Sequence, residues 1–243
     1  MIDTHCHLDE YENIDEIVSS FDGIIITSGY DDKSNLKVLE IVDKYKNVYG
    51  TLGIHPEEAS NNYNLKIIEE NIDNPKIVAI GEIGLDYHYT KDNMEKQKQL
   101  FMRQLDLANK YQKPIVVHSR DAILDTYNIL SNYHLTGSIH CFSSSLEMAL
   151  KFIDLGYKIG VGGVLTFKNG KKLREVVDGI SLDDILLETD SPYMSPEPYR
   201  GLKNKPQNVC FVLKKLSELK EINQDEVLKI TNDNARKIFN IYF

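Results

Sequence analysis

The sequence predicts an α/β protein in which eight parallel strands close into a (β/α)8 TIM barrel followed by C-terminal helices. Short β-branched or apolar runs recur about eight times, stretches with helical periodicity lie between them, and no linker or low-complexity tract interrupts the alternation. Such alternation implies parallel strands joined by crossover helices, and eight units in 243 residues favour a closed barrel over an open doubly wound sheet. We therefore expect a single domain covering residues 1–243.

The predicted strands follow one another at short intervals along the chain. They are MIDTHCH (1–7), GIIITSG (23–29), VYGTLGIHP (48–56), KIVAIGEIGLDY (76–87), PIVVHS (114–119), TGSIHCFS (136–143), YKIGVGG (157–163) and DILLETDSP (184–192). Most of these runs are rich in Ile, Val or Leu and end in Gly, Pro or polar residues, which is typical of a buried strand.

Amphipathic stretches fill the gaps between the strands. They cover residues 33–45, 65–72, 93–111, 122–132 and 146–155, while residues 206–219 and 224–239 close the chain. Thr90 and Asp92 are predicted start signals for the stretch 93–111, and Asp121 is predicted to cap the helix that follows PIVVHS.

Charge limits the kinds of partner. The formal net charge of −9 argues against sequence-independent coating of nucleic acid, which depends on many Lys and Arg contacts to phosphates. Metal ions bound at carboxylates add positive charge that the formal count omits, so an acidic protein can still hold a phosphate substrate.

Cysteine usage and hydropathy indicate the compartment. Cys6, Cys141 and Cys210 form no CxxC pair, and an odd number suits free thiols in a reducing environment. The chain has no run of about 20 apolar residues, and its N-terminus lacks the basic start and apolar core of a signal peptide. We expect a cytoplasmic protein without membrane contact, a monomer by default.

Six side chains able to bind metal lie at or near the ends of predicted strands. They are His5 and His7 on the first strand, Glu82 on the fourth, His118 on the fifth, His140 on the sixth and Asp190 on the eighth. Because the carboxyl ends of barrel strands converge on one mouth, we expect these six residues to form one cluster. A lone histidine is more often a hydrogen-bonded core or surface residue, and this interpretation is kept for His88 and His134.

The DTHCH segment is the sharpest local signal. Side chains separated by two positions on a strand point the same way, so His5 and His7 share a face. Cys6, between them, should point towards the helices as a small buried apolar residue, and we predict the same for Cys141 next to His140.

Two carboxylates complete the predicted metal site and are its predicted catalytic residues. Glu82 lies in IGEIGLDY, where flanking glycines leave room for close approach, and a carboxylate can bridge two metals. An unpaired carboxylate inside a barrel would be costly, so Glu82 and Asp190 need a cation or strong hydrogen bonds. The alternative for Asp190 is a cap for the turn that follows it.

The predicted ligands suit two divalent cations per subunit. Four imidazoles and two carboxylates accept Zn, Mn, Co or Ni; Mg also stays open, although a Mg-only site is expected to use more oxygen. Two such cations lower the pKa of water, neutralise phosphate charge and stabilise the attacking and leaving oxygens of a phosphodiester. In this hypothesis Asp190 orients or deprotonates the attacking water.

Residues near the same strand ends are candidates for substrate contact. His55 ends the third strand, where it can orient substrate without binding metal. Arg120 and Arg200 each follow a strand that carries a predicted ligand, and a guanidinium matches phosphate oxygens, although a surface role or a salt bridge with Asp121 or Glu188 is the alternative.

The loop SPYMSPEPYRGLKNKP after Asp190 mixes cations with tyrosines. Such a mixture can contact both phosphate and base. The alternative is a Pro-rich surface loop that leads into a helix whose first turn begins at Pro206.

Seven motifs in order make the chain resemble the TatD family of metal-dependent deoxyribonucleases, in the amidohydrolase superfamily. They are DTHCHLD (3–9), GIHP (53–56), IGEIGLDY (80–87), PIVVHSRDA (114–122), HCFS (140–143), ETDSPY (188–193) and RGLKNKP (200–206). The resemblance covers essentially the whole chain, and the set is far more specific than the HxH pair alone.

The resemblance implies how the ligands divide and what they act on. One metal would be held by His5, His7, Glu82 and Asp190, and a second by Glu82, His118 and His140. It further implies 3′ to 5′ exonuclease or endonuclease action on DNA, taken as single strands or frayed ends, with four substrate-side residues. These are His55, Asp86, Arg120 and Arg200.

Two alternatives stay open at this point. Some relatives are linked to removing D-amino acids from tRNA, so an amidohydrolase-type hydrolase of ester or C–N bonds is the main one. The other is a metal-holding interaction protein without catalysis, which the water-activating character of open two-metal sites disfavours.

Overall fold

The computed structural model describes residues 1–89 and 91–241, and within them the chain forms eight strands. The strands are β1 Ile2–Cys6, β2 Ile24–Ser28, β3 Val48–Leu52, β4 Ile77–Asp86, β5 Ile115–Arg120, β6 Gly137–Ile139, β7 Tyr157–Val161 and β8 Ile185–Leu187. Each predicted run contains one of them. β6 and β8 end earlier than their runs do, so His140 and Asp190 lie in the loops just beyond the strands.

Each strand pairs in parallel with the next, in the order β1 to β8, so the predicted barrel fold is confirmed. The sheet closes where β1 meets the segment after β8. There the backbone N–H of Asp190 donates to the carbonyl of His5 at 2.9 Å. Deeper in the same seam, the buried Asp3 carboxylate accepts hydrogen bonds from Thr189, from its N–H at 2.9 Å and from its hydroxyl at 2.6 Å. Side chains as well as backbone therefore join the first strand to the last.

Helices lie between the strands and after the last one. Within the described part of the chain they are α1 Ile14–Ser19, α2 Asp32–Lys44, α3 Leu65–Asn71, α4 Met94–Tyr111, α5 Ile123–Leu130, α6 Leu146–Asp154, α7 Lys171–Gly179, α8 Val209–Lys220 and α9 Gln224–Phe239. The sequence predicted all of them except α1 and α7. With six residues, α1 is too short to show a helical period, whereas α7 buries Leu173, Val176 and Val177 at helical spacing and so carried a usable signal.

The predicted helix starts were partly right. Pro206 does open a 3-10 turn, Pro206–Asn208, that leads into α8. The prediction that Asp121 caps α5 is wrong, because the cap residue is Ala122. Asp121 has a φ of 54°, so the chain turns there before the helix begins, and its carboxylate lies 3.0 Å from Nδ1 of His88. Thr90 lies outside the described residues.

Apolar side chains form a large layer between the sheet and the helices and a smaller cluster at the amino-terminal end of the barrel. In the smaller cluster, Ile26 and Val116 stand two residues before Ser28 and His118, so they point into the barrel beneath those residues. The strand residues of this cluster are Ile2, Ile24, Ile26, Val78, Ala79, Val116 and Leu186. Phe239 and Ile241 pack with them, so the barrel interior ends on an apolar floor below its polar mouth.

Candidate metal centre

The predicted metal ligands all lie at the carboxyl ends of the strands. His5 lies in β1 with His7 directly after it, Glu82 lies in β4, His118 lies in β5, His140 directly follows β6, and Asp190 follows β8 by three residues. The structure brings these six side chains together at one mouth, as the strand-end argument requires.

Glu82 is the central carboxylate of the cluster. Its Oε1 lies 2.9 Å from Nδ1 of His118 and 2.9 Å from Nε2 of His140. Its Oε2 lies 3.4 Å from Nε2 of His5 and 3.6 Å from Nε2 of His7. One buried carboxylate therefore lies next to all four imidazoles predicted to bind metal.

Asp190 completes the side of the cluster formed by β1. Its Oδ1 lies 3.6 Å from Nε2 of His5 and 3.6 Å from Nε2 of His7. The two Nε2 atoms are themselves 3.3 Å apart, so His5 and His7 do point the same way. The expected HxH geometry is thus present.

Ser28, at the end of β2, holds both of these imidazoles. Its backbone carbonyl lies 3.1 Å from Nδ1 of His7, and its hydroxyl lies 3.1 Å from Nδ1 of His5. A carbonyl can only accept, so Nδ1 of His7 carries a hydrogen, and loss of the proton on Nε2 leaves a neutral ring whose Nε2 lone pair faces the centre. That is the orientation a metal ligand needs.

The electrostatics show how strongly this cluster attracts positive charge. Burial acts to raise the pKa of Glu82, but the charge and hydrogen bonds of His140 and His118 hold it well below its usual range. Burial likewise acts to lower the pKa of His118, yet hydrogen bonds to Asp86 and Glu82 raise it to about 9. The ionised carboxylates therefore favour protonation of nearby imidazoles. A divalent cation can replace these protons.

The donor set fits divalent cations. Three groups each offer three nitrogen or oxygen atoms that lie within 4.8 Å of one another. The groups are His5, His7 and Asp190; His5, Glu82 and His140; and His55, Glu82 and His118. Glu82 belongs to two of them, and this mixture of imidazole and carboxylate suits Zn, Mn, Co or Ni.

His55 differs from the other imidazoles in the group it shares with Glu82. Its Nδ1 accepts a hydrogen bond from the backbone N–H of Glu57 at 3.3 Å, so the neutral ring carries its hydrogen on Nε2. Burial and the neighbouring charge of His118 lower the pKa of His55 to about 3, so the ring is neutral. Nε2 lies 3.6 Å from Oε1 of Glu82 and points a donor, not a lone pair, into the centre.

A cavity of about 570 Å³ opens above the cluster. It is lined by His7, Glu10, Tyr30, His55, Glu57, Glu82, Asp86, Tyr89, His118, Ser119, Arg120, His140, Cys141, Ser143, Val164, Asp190, Tyr193 and Met194. Three of the four predicted substrate-side residues are in this wall, namely His55, Asp86 and Arg120. The guanidinium of Arg120 lies 5.0 Å from the ring centre of Tyr89, which is also in the wall.

Two other predictions for the substrate side meet a different geometry. Arg200 stacks on the ring of Phe167, 4.2 Å from its centre, and is not among the described residues that line the cavity. Asn204, in the loop after Asp190, is buried and donates to the carbonyls of Thr189 at 3.0 Å and Tyr193 at 2.7 Å. Asn204 therefore holds the loop in place.

Three residues at the centre were missed or misplaced by the sequence. Ser28 carried a signal, because it ends a predicted strand at the same mouth. Glu188 is buried with one carboxylate oxygen accepting from the N–H of Cys141, whereas the sequence indicates only a salt bridge with arginine for it. The prediction that Cys141 points to the helices is wrong: β6 has ended, the residue has a φ of 46°, and it lines the cavity. Cys6 is fully buried and packs in the helix-side core, as predicted.

No helix in the described residues combines the length and the apolar character needed to cross a bilayer.

The family model and the sequence relatives assign the chain to one family. The family model of TatD-related DNases matches residues 2–240. The uncharacterized metal-dependent hydrolase YabD of Bacillus subtilis is 36% identical over 253 residues, covering 99% of this chain and 99% of its own. YcfH of Escherichia coli, with the same description, is 34% identical over 99% of this chain and 96% of its own. The crystal structure of YjjV, a TatD homologue from Escherichia coli, superposes with a TM-score of 0.93 at 32% identity and covers 100% of this chain and 98% of its own.

Proposed function

The chain belongs to the family of TatD-related DNases and is a metal-dependent hydrolase, and we propose that it hydrolyses the phosphodiester bonds of DNA as a 3′ to 5′ exonuclease. The alternative substrates, aminoacyl esters and C–N bonds, would engage the same metal centre. The phosphodiester is favoured by the cavity wall, where Arg120 offers a fixed positive charge beside the cluster.

The observation that carries this proposal is that Glu82 turns Oε2 towards His5 and His7 and Oε1 towards His118 and His140. We propose that His5, His7, Glu82 and Asp190 hold one divalent cation and that Glu82, His118 and His140 hold a second. When bound, the two cations supply Lewis-acid charge to the phosphoryl oxygens and lower the pKa of water. Zn, Mn, Mg, Co and Ni all remain candidates.

Asp190 is the proposed proton acceptor of the chain, and His55 is a proposed substrate-binding residue. Burial acts to raise the pKa of Asp190, but the hydrogen bond from His7 and the charge of His140 hold it below its usual value. An ionised Asp190 can orient the attacking water and accept its proton. The Nε2–H of the neutral His55 ring can donate a hydrogen bond to a phosphoryl oxygen.

The wall of the cavity supplies contacts for the rest of a nucleotide. Arg120 and Tyr89 stand together on one side, where a guanidinium can bind phosphate and a ring can stack on a base. Tyr30 and Tyr193 flank His7, with ring centres 5.6 Å and 6.1 Å from its own. Base stacking of this kind needs unpaired bases, so we propose single-stranded DNA or a frayed end as substrate.

We further propose that the enzyme works in the cytoplasm, as a monomer. All three cysteines are free thiols, as expected for a reducing compartment.

The test is cleavage of a short single-stranded DNA with the metal-loaded enzyme. An oligonucleotide labelled at its 5′ end should shorten one residue at a time in Mn²⁺, and the same oligonucleotide annealed into a blunt duplex should be cut more slowly. A D-aminoacyl-tRNA should keep its ester bond in parallel reactions. Ester hydrolysis without any DNA shortening would reject the nuclease proposal in favour of the alternative.

A further inference from the structure

The four imidazoles of the metal centre differ in what stands behind their outward-facing nitrogens. His5 and His7, both contributed by β1, are backed by the hydroxyl and the carbonyl of Ser28. These two oxygens belong to neutral groups. The outward nitrogen of His118 instead lies 2.9 Å from a carboxylate oxygen, and that of His140 lies 3.9 Å from another, without a hydrogen bond.

Asp86 stands behind His118. Its Oδ2 lies 2.9 Å from Nε2 of His118, on the side of the ring opposite to Glu82. Asp86 is itself fixed, because its Oδ1 accepts from the N–H of His88 at 2.8 Å. Gln97 of α4 also clamps its backbone, accepting from its N–H at 2.8 Å and donating to its carbonyl at 2.7 Å. Both carboxylate oxygens of Asp86 are thus engaged within the protein, although the residue was expected to serve the substrate.

Glu188 stands behind His140. Its Oε1 accepts from the N–H of Cys141 and lies 3.9 Å from Nδ1 of His140. Nδ1 of His140 and Oε2 of Glu188 are both buried, and neither has a hydrogen-bond partner among the described residues. Gly160 provides the space for this carboxylate, because a Cβ there would lie 2.4 Å from Oε2. A buried acid and a buried imidazole are therefore set side by side with unused bonding capacity.

A carboxylate behind a metal-bound imidazole fixes the ring and its tautomer and makes the inward nitrogen more basic. We propose that Asp86 and Glu188 are positioning residues that strengthen the second cation site, held by Glu82, His118 and His140, and leave the first site unaffected. The inference rests on the proposed two-cation function. Its consequence is that the two cation sites are unequal and can be weakened separately.

Cobalt(II) titration of the metal-free protein tests this inference, because Co²⁺ reports its own coordination through visible absorption. The variants Asp86→Asn and Glu188→Gln keep the shape of each side chain and remove its charge. Asp184→Asn is the matched control, since Asp184 precedes β8 at the opposite end and pairs with Lys158 at 2.8 Å. Circular dichroism establishes that each variant is folded, and each folded variant tests the residue it replaces.

We expect the wild type and Asp184→Asn to bind two equivalents of Co²⁺. In Asp86→Asn and Glu188→Gln one equivalent should bind as in the wild type, and the other about 10- to 100-fold more weakly. A merely structural role would weaken both equivalents together, and that result overturns the inference. Unchanged binding of both equivalents overturns it as well but leaves the two-cation centre standing. Fewer than two equivalents in the wild type rejects the proposed function, and the inference with it.

Discussion

Replacing Glu82 by alanine is the most direct test of the metal centre. The carboxylate contacts His118 and His140 through one oxygen and His5 and His7 through the other. Its loss removes one side chain from each proposed cation site. Because the cations are expected to supply several kcal/mol of charge stabilisation, about 4 kcal/mol lost at the transition state reduces the rate about 1,000-fold.

The fold should survive this change. Breaking a buried ion pair costs about 3–5 kcal/mol, against a total stability of about 5–15 kcal/mol for a typical domain. With metal removed, a loss of about 3 kcal/mol lowers the melting temperature by about 6–12 °C in a chain of this size. Glu82→Gln, which keeps the volume, should lose activity with a smaller drop in melting temperature.

The assay combines three measurements on the same preparations. They are release of nucleotides from single-stranded DNA in Mn²⁺, metal content after equilibrium dialysis, and thermal unfolding followed by circular dichroism. Glu95→Ala is the control for a lost acid, because its side chain is 80% exposed on α4. A folded Glu82→Ala variant that retains full nuclease activity or two bound cations would refute the reasoning.

Three further predictions follow from the site and the sheet. Dialysis against EDTA should abolish hydrolysis and Mn²⁺ should restore it, whereas a rate unaffected by chelation would contradict a metal mechanism. Arg120→Ala should raise the KM for single-stranded DNA about 10-fold, because one charge-assisted contact contributes about 1.4 kcal/mol. Arg200→Ala should change the KM less than 2-fold, which corresponds to about 0.4 kcal/mol. Equal effects of the two variants on KM would contradict the geometry. Gly84→Ala should lower the free energy of unfolding in urea by about 3 kcal/mol or more, because φ is 144° and the new Cβ would lie 2.0 Å from the carbonyl oxygen of His118. Gly162→Ala is the control: its Cβ would lie 3.5 Å from the nearest atom, so it should cost under about 1 kcal/mol.

The fold and the clustering of the six candidate ligands were predictable because both depend on strand ends. A barrel converts position at the carboxyl end of a strand into position in space, so His5, Glu82 and Asp190 could be grouped without any knowledge of tertiary contacts. Alternation along β1 then gave the shared face of His5 and His7. These arguments need only the pattern of the chain.

The residues behind the ligands were not predictable in the same way. Asp86 is the last residue of β4, and only the pairing of β4 with β5 reveals that its carboxylate contacts His118. Cys141 was misplaced because alternation was extended past the end of β6, where a backbone with positive φ redirects the side chain. Arg200 has a sequence position that suits phosphate, but the ring of Phe167 captures its guanidinium. Sequence periodicity does not predict the direction of a side chain that lies in a loop beyond the end of a strand.

The apolar floor of the barrel limits how substrate and product could enter and leave the proposed nuclease. Phe239 and Ile241 close the end opposite the mouth, so within the described residues the cavity above Glu82 opens at the mouth and is closed at its base. If the substrate is DNA, as proposed, a strand cannot pass through the barrel, so substrate and product use the same opening. Each released nucleotide would leave through the same opening that the shortened strand enters. We therefore expect the nucleotide product to compete with DNA for the site.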